Sequence, residues 1–97
     1  MSKIYKYQLQ VGKNTILLPE GSDILSVHEQ NGKIMLWALI DTEAESMEGV
    51  KVNVFGTGEE IDDDDLLIFI GTAHMSSGLV WHVFLGDLIE SKNGEAV

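Results

Sequence analysis

Apolar and polar residues alternate with a period of two along much of this chain. In IYKYQLQV (residues 4–11), every second residue from Tyr5 is apolar, and VKVNVF (residues 50–55) repeats the pattern with valines. Such alternation is typical of strands that bury one face. The runs LLIFIGTAHM and LVWHVFLG, joined by SSG, are apolar on both faces, which predicts two central or sandwiched strands.

Turn-forming residues divide the pattern into short segments. GKN at residues 12–14 predicts a turn before a further strand, TILLP, and Pro19 must end that strand or place it at a sheet edge. EGS at residues 20–22 marks the next turn.

Asn31 and Gly32, between two apolar runs, give the strongest local signal. Asn-Gly favours a two-residue type I′ turn, and such a loop places Gln30 opposite Lys33. The register then assigns every side chain of the hairpin to a face. One face holds Leu25, Val27, Ile34, Leu36, Ala38 and Ile40, and the other holds Ile24, Ser26, His28, Met35, Trp37 and Leu39.

The segment TEAESMEG, residues 42–49, leaves two alternatives open. Thr42 and Glu45 have capping-box spacing, which favours one short helical turn, but an acidic loop fits equally well. About seven short strands predict an all-β fold, a small antiparallel sandwich or barrel-like domain over residues 1–90, with a flexible polar tail over residues 91–97. Exposed strand edges in so short a chain favour homo-oligomerisation.

Composition narrows the function. The 97 residues include no cysteine and no arginine, and the net charge is −10. Disulfides and thiolate metal sites are excluded, and binding to a nucleic-acid backbone is disfavoured because it depends on cationic side chains. The apolar runs are too short to cross a bilayer, and the amino-terminal residues do not form a secretion signal. We therefore expect a protein of the bacterial host cytoplasm that needs no cofactor.

Six acidic residues precede the apolar run LLIFI: Glu59, Glu60, Asp62, Asp63, Asp64 and Asp65. Consecutive aspartates in an extended chain point to opposite faces, so they do not converge on a metal ion. We expect a solvated loop, with contact to a cationic partner as the functional alternative.

Three histidines, His28, His74 and His82, are the candidate nitrogen ligands. If His74 faces Trp81, then His74 and His82 lie on opposite faces of the last hairpin; in the other register they share a face diagonally. Neither arrangement is a chelate, and a structural role for His82 is favoured. A histidine beside Trp37 or Trp81 can still line a ligand pocket.

Gly56, Thr57 and Gly58 follow a strand, so their amides can form an anion-binding nest, although a tight turn is the simpler interpretation. No Gly-x-Ser-x-Gly motif or Ser–His–acid order with family character is present, which argues against an enzyme.

The order of IYKYQL, LPEG, QNGKIMLWALID, GTG, IGT and WHVF resembles a family of small uncharacterised phage and prophage proteins. The resemblance extends nearly to Gly86 and marks Trp37, Gly56, Thr57, Gly58, Gly71, Thr72 and His82. It implies a phage origin rather than a mechanism. The aspartate run is longer than the acidic turn usual in that family.

These observations predict a non-enzymatic phage protein that antagonises a host defence or regulatory factor. It either binds a host protein through the acidic residues or sequesters a small nucleotide-like ligand at Trp37, His82 and the Gly-Thr turns. The alternatives are a structural or virion accessory protein and a small hydrolase.

Overall fold

The computed structural model describes residues 1–88 and contains seven β-strands. They are β1 (Ser2–Leu9), β2 (Gly12–Pro19), β3 (Asp23–Gln30), β4 (Lys33–Asp41), β5 (Met47–Gly56), β6 (Ile68–His74) and β7 (Val80–Leu85). All neighbouring strands pair antiparallel, in a first sheet with the order β1-β4-β3 and a second sheet with the order β2-β5-β7-β6. The predicted all-β, sandwich-like fold is confirmed; the predicted tail from residue 91 lies outside the described residues.

One apolar core lies between the two sheets. Val52, Val54 and Val83 of the second sheet are fully buried, as are Leu36 and Ala38 of the first. We call the side of each sheet that carries these residues its inner face. The other core members are Leu9, Ile16, Leu18, Val27, Ile34, Ile40 and Ala73.

The Asn-Gly hairpin forms as the sequence predicts. Asn31 and Gly32 both have positive φ, 53° and 78°, and Gln30 pairs with Lys33. The register shifts between Ile24 and Ser26, however, so that Ile24 pairs with Ala38. Ile24 therefore packs against the core while Leu25 is exposed, and the predicted faces of these two residues are wrong. A β-bulge inserts one residue into a strand and inverts the side chains beyond it.

The predicted turn at residues 12–14 is also wrong, because β2 already begins at Gly12. The chain changes sheets at Gln10 and Val11 instead. The Asn14 side chain bridges this corner: its Oδ1 accepts a hydrogen bond from the Gln10 amide, and its Nδ2 donates to the Gln10 carbonyl, each at 2.8 Å. Pro19 ends β2, an edge strand, as expected.

Residues 42–46 form an irregular connection, so the acidic-loop alternative is correct and the helical turn at Thr42 is not observed. The amide of Thr42 donates to the Met1 carbonyl, and the amide of Ala44 donates to the Asp41 carbonyl. No helix in the described part of the chain has the length and apolarity to cross a membrane.

The last two strands differ in position. β7 is central, as predicted, but β6 is an edge strand, so the prediction that LLIFI is sandwiched is wrong. Its register shifts between Phe69 and Gly71. Beyond this bulge Thr72 pairs with His82 and His74 pairs with Val80, the register in which the two histidines share a face.

The sandwich is closed on one side, where β3 approaches β6. A Cβ atom on Gly71 would lie 3.4 Å from the Cβ of Val27, so glycine permits this close approach of the two sheets. The opposite side is formed by the edges of β1 and β2, which the corner at Gln10 and Val11 joins.

Candidate functional site

The connection between β5 and β6, residues 57–67, has an unusual path. These two strands run in the same direction and are separated by β7, so the connection must return along the length of β7. The core fills the inner face of the second sheet, so the connection crosses the outer face. Six of its eleven residues are acidic and none is basic. We call residues 57–67 the acidic strap.

A tight turn begins the strap. The Glu59 amide donates to the Gly56 carbonyl at 3.1 Å, and Gly58 has a φ of 88°, a conformation that favours glycine. The carboxylate of Glu59 accepts a hydrogen bond from the Gly56 amide at 3.0 Å. Glu59 therefore occupies an amide that an anion-binding nest would need, and the predicted tight turn is what the structure contains.

Thr57, Thr72 and His82 meet beneath this turn on the outer face. The Nε2 atom of His82 lies 2.8 Å from the Thr57 hydroxyl, and its Nδ1 atom lies 3.3 Å from the Thr72 hydroxyl. A neutral imidazole donates at one nitrogen and accepts at the other, whereas a hydroxyl can do either, so both contacts are satisfied together. The two Gly-Thr pairs thus converge on one half-buried histidine, which links the strap to β6 and β7.

The aspartates form a turn of their own. The Asp64 amide donates to the Asp62 carboxylate at 2.9 Å, and the Asp65 amide donates to the Asp62 carbonyl at 3.1 Å. This arrangement, in which a side chain accepts from the amide two residues on, is an Asx turn. Asp63 and Asp64 are exposed, whereas Asp62 and Asp65 are half-buried. Within residues 1–88, no three acidic or histidine side chains form a group that could hold a metal ion.

Asn53 and Gly86 hold the other end of the strap. Asn53 is buried on the outer face of β5 and donates to the Gly86 carbonyl at 2.6 Å, while the Gly86 amide donates to the Lys51 carbonyl. The Leu66 carbonyl lies so close to Gly86 that a Cβ atom there would be 2.3 Å from its oxygen. The backbone of the strap therefore contacts the backbone of Gly86 directly, with no side chain between them.

An aromatic row runs across the outer face between the two ends of the strap. The ring centroids of Phe55 and Phe84 lie 5.8 Å apart, and those of Phe84 and Phe69 lie 5.4 Å apart, both with edge-to-face geometry. Phe55 is only 7% exposed although it points away from the core. The row supplies a second, small apolar layer on this face.

Three apolar side chains are exposed where the strap enters β6. Leu66 is 86% exposed, Ile68 67% and Phe69 56%. They follow the aspartates directly in the chain, and Ile68 and Phe69 begin the edge strand β6, before its contact with β3 at Gly71. These residues were not predicted as part of a site, because the run LLIFI was predicted to be a sandwiched strand. The abrupt change from four aspartates to an apolar run was the available signal.

Trp37 lies away from this cluster. It is on β4 of the first sheet, between the buried Leu36 and Ala38, so its indole points to the outer face of that sheet. Its ring centroid lies 6.0 Å from that of His28. Trp37 and His82 therefore occupy the outer faces of different sheets and do not line one pocket. Trp81, by contrast, packs against the core and over Gly56, where a Cβ would lie 3.2 Å from the indole.

Of the residues predicted for a site, ten belong to or adjoin the strap: Gly56, Thr57, Gly58, Glu59, Glu60, Asp62, Asp63, Asp64, Asp65 and His82. Thr72 joins them through His82, and Gly71 serves the contact with β3.

Comparison with known proteins identifies a family. A family model described as a domain of unknown function, DUF7352, matches residues 1–93. No curated protein matches the chain. No solved structure matches it.

Proposed function

The chain belongs to this family of unknown function, matched over residues 1–93, and we propose that it is a non-enzymatic binding protein. It contacts a basic, partly apolar partner protein through the acidic strap and the adjoining edge of β6. The chemical class of the partner is a host protein with a cationic surface, and the consequence of binding is to block that surface.

One observation carries the proposal: six acidic residues are followed directly in the chain by three exposed apolar side chains, Leu66, Ile68 and Phe69. After Met1, Leu66 and Ile68 are the most exposed large apolar residues of the described chain, and Phe69 is more than half exposed. Acidic residues attract a cationic partner over long distances, and apolar residues add affinity once the partner is in contact. A merely solvated loop would not need the apolar residues.

The order of sequence motifs bears on the source of the partner protein. The order of motifs from IYKYQL to WHVF resembles small phage and prophage proteins, and such proteins act inside a bacterial host. A phage-encoded acidic binder would act there against a host defence or regulatory factor.

A surface fits the geometry better than a ligand pocket. Both ring nitrogens of His82 are hydrogen bonded to threonine hydroxyls, and Trp37 lies on the other sheet. The depression beside Gly56, Thr57 and Trp81, about 440 Å³, is open to solvent. An open depression of this kind would bury little of the surface of a small ligand.

The test is capture from a bacterial host lysate with the full chain immobilised, at low and high NaCl. The binding variant combines Glu60→Gln, Asp63→Asn and Asp64→Asn, which removes three exposed charges from the strap. The control variant removes three exposed charges elsewhere, by Asp23→Asn, Glu45→Gln and Glu48→Gln. Retained proteins are quantified by mass spectrometry and then purified for calorimetry.

We expect one basic protein to be retained at low salt, to be lost with the strap variant, and to remain with the control variant. Leu66→Ser should weaken the same complex by about tenfold, near 1.4 kcal/mol, without lowering stability, since Leu66 is exposed. Equal loss with both triple variants would show that net charge alone is responsible and would refute the strap as the site. Unchanged capture with Trp37→Ala separates this surface from the ligand-pocket hypothesis.

A further inference from the structure

The four edge strands of the sandwich differ in how they are protected. β3 and β6 each contain a register shift, and they pack against each other where Gly71 meets Val27. β2 begins at Gly12, with a φ of 93°, and ends at Pro19. Bulges, prolines and covering elements are the usual means by which proteins prevent a strand edge from pairing with another chain. β1 has none of them.

β1 is a regular strand with an open edge. It pairs with β4 in one unbroken register, from Ser2 opposite Asp41 to Leu9 opposite Ile34. Within residues 1–88 no other strand pairs with its second edge, so alternate residues direct amide and carbonyl groups away from the sheet. Ile4 and Tyr5 beside this edge are 59% and 48% exposed.

The lysines of β1 protect its edge only in part against pairing with another chain. Lysine side chains on an edge strand normally oppose pairing. The ammonium group of Lys6, however, reaches across β4 and donates to the Gln30 side chain at 2.6 Å, so its charge is directed over the first sheet. Residues 1–19 contain three lysines and no acidic residue, whereas the remaining residues carry 3 − 16 = −13. β1 itself carries no carboxylate, so two copies of this acidic protein meet less mutual repulsion at its edge than at the acidic strap.

A twofold axis perpendicular to the sheet selects the register. Such an axis keeps the inner faces of both copies on the same side of the joined sheet. Tyr5 and Tyr7 lie on the inner face, because they pair with Ala38 and Leu36. Each must therefore lie opposite an inner-face residue of the second copy. An axis at Lys6 would place two like charges opposite each other, which is destabilising. An axis at Tyr5 aligns residues 2–8, with Lys3 opposite Tyr7 of the second copy, whereas an axis at Ile4 aligns only residues 2–6.

We propose that the protein forms a symmetric homodimer in which β1 pairs antiparallel with β1 of a second copy about an axis at Tyr5. The first sheets of the two copies become one six-stranded sheet, β3-β4-β1-β1-β4-β3. Seven residue pairs bury the free edge together with Ile4 and Tyr5. This surface is separate from the strap, so either proposal can fail without the other.

The absence of cysteine from the chain allows a direct test of the register. Opposed residues of antiparallel strands have Cα atoms about 4.5–5.5 Å apart, within the range that a disulfide spans. Tyr5→Cys alone should therefore cross-link under mild oxidation to a species of twice the 10.7 kDa mass. Lys6→Cys, one residue along β1, and Leu17→Cys, exposed on the β2 edge, should cross-link at least about tenfold more slowly.

The second measurement is the molar mass in solution, by light scattering after size exclusion. The protein is loaded at about 200 µM, because a dimer with a Kd of tens of micromolar is then mostly assembled. The unmodified chain should be dimeric, and Tyr5→Lys, which places two ammonium groups at the axis, should be monomeric with an unchanged circular dichroism spectrum. Leu17→Lys should remain dimeric. A monomeric unmodified chain, a dimer that survives Tyr5→Lys, or faster cross-linking at residue 17 or residue 6 than at residue 5 would each overturn the proposal.

Discussion

Gly86 is a residue at which the backbone of the acidic strap lies directly against the end of the second sheet. Its φ of 126° favours glycine, and an added Cβ would collide with the Leu66 carbonyl. Replacing Gly86 by alanine therefore has two costs, backbone strain and displacement of the strap. Gly58 has a φ of 88° and open space around it, so the same replacement there causes backbone strain alone.

We predict that Gly86→Ala lowers the free energy of unfolding by about 2–4 kcal/mol and Gly58→Ala by about 1 kcal/mol. Urea denaturation followed by tryptophan fluorescence measures both. Equal losses in the two variants would show that the strap does not rest on Gly86.

Tyr7 gives the fold a dependence on alkaline pH. Desolvation by burial, and then the neighbouring Tyr5, raise the pKa of Tyr7 above its ordinary value of 10.0. A phenol whose pKa is higher in the folded state than in the unfolded state stabilises the fold below pH 10, and that contribution is lost as pH rises through the folded pKa.

Unfolding free energy should therefore fall less steeply between about pH 9.5 and 11 in Tyr7→Phe than in the unmodified chain. Denaturation at a series of pH values measures the unfolding free energy of both proteins. The lysines titrate in both, so their contribution cancels in the difference between the two curves. Parallel curves for the two proteins would contradict the raised pKa.

At the scale of elements, the strap depends on its bond to β7. The 2.8 Å contact between Thr57 and His82 is shorter than the 3.3 Å contact between Thr72 and His82, so the first holds the strap and the second mainly orients the ring. Thr57→Val removes the hydroxyl at constant shape, which should cost about 1 kcal/mol locally.

Hydrogen exchange should detect this loss at the Glu59 amide, which the first turn of the strap protects. We expect exchange there to accelerate by roughly fivefold in Thr57→Val, as about 1 kcal/mol requires, and by less in Thr72→Val. The amides of β3 and β4 should be unchanged. Faster exchange throughout the sandwich would instead assign Thr57 a role in global stability.

The elements also show where sequence reasoning succeeds. The Asn31-Gly32 hairpin was predicted to the residue, because positive φ at two adjacent positions is a local requirement. The shifts at Leu25 and Ile70 were not, because each bulged residue follows another apolar residue, Ile24 or Phe69, and two adjacent apolar residues hide the change of face. The edge position of β6 was missed for a related reason: strand order depends on where the strap crosses, and no local pattern encodes that path.

The candidate site was predicted in part. The acidic residues and the Gly-Thr pairs were identified, but the sequence could not reveal that Thr57 and Thr72, fifteen positions apart, meet at one histidine. That meeting follows from the register between β6 and β7, which the turn at residues 75–79 left open between two alternatives. Trp37 was placed with His82 because aromatic residues often line pockets, whereas the sheet order separates them.

At the scale of the whole molecule, a net charge of −10 on 97 residues opposes compaction. Salt screens this repulsion, so raising NaCl from about 20 to 300 mM at pH 7 should stabilise the fold by about 1 kcal/mol, or roughly 4–8 °C in Tm. The variant combining Glu60→Gln, Asp63→Asn and Asp64→Asn should gain less. Calorimetry at low protein concentration measures both, and a Tm that falls with salt would show that attractive ion pairs dominate.

The strand order β2-β5-β7-β6 constrains how the chain can be made. β7 is the last strand along the described chain, yet it lies between two strands that precede it. During synthesis, β5 and β6 therefore leave the ribosome with no partner for their facing edges, while the hairpin of β3 and β4 can already form. Until β7 inserts, those edges are open to other nascent chains. We expect the aspartates beside β6 to act as gatekeepers, because their charge opposes aggregation of an unpaired apolar strand.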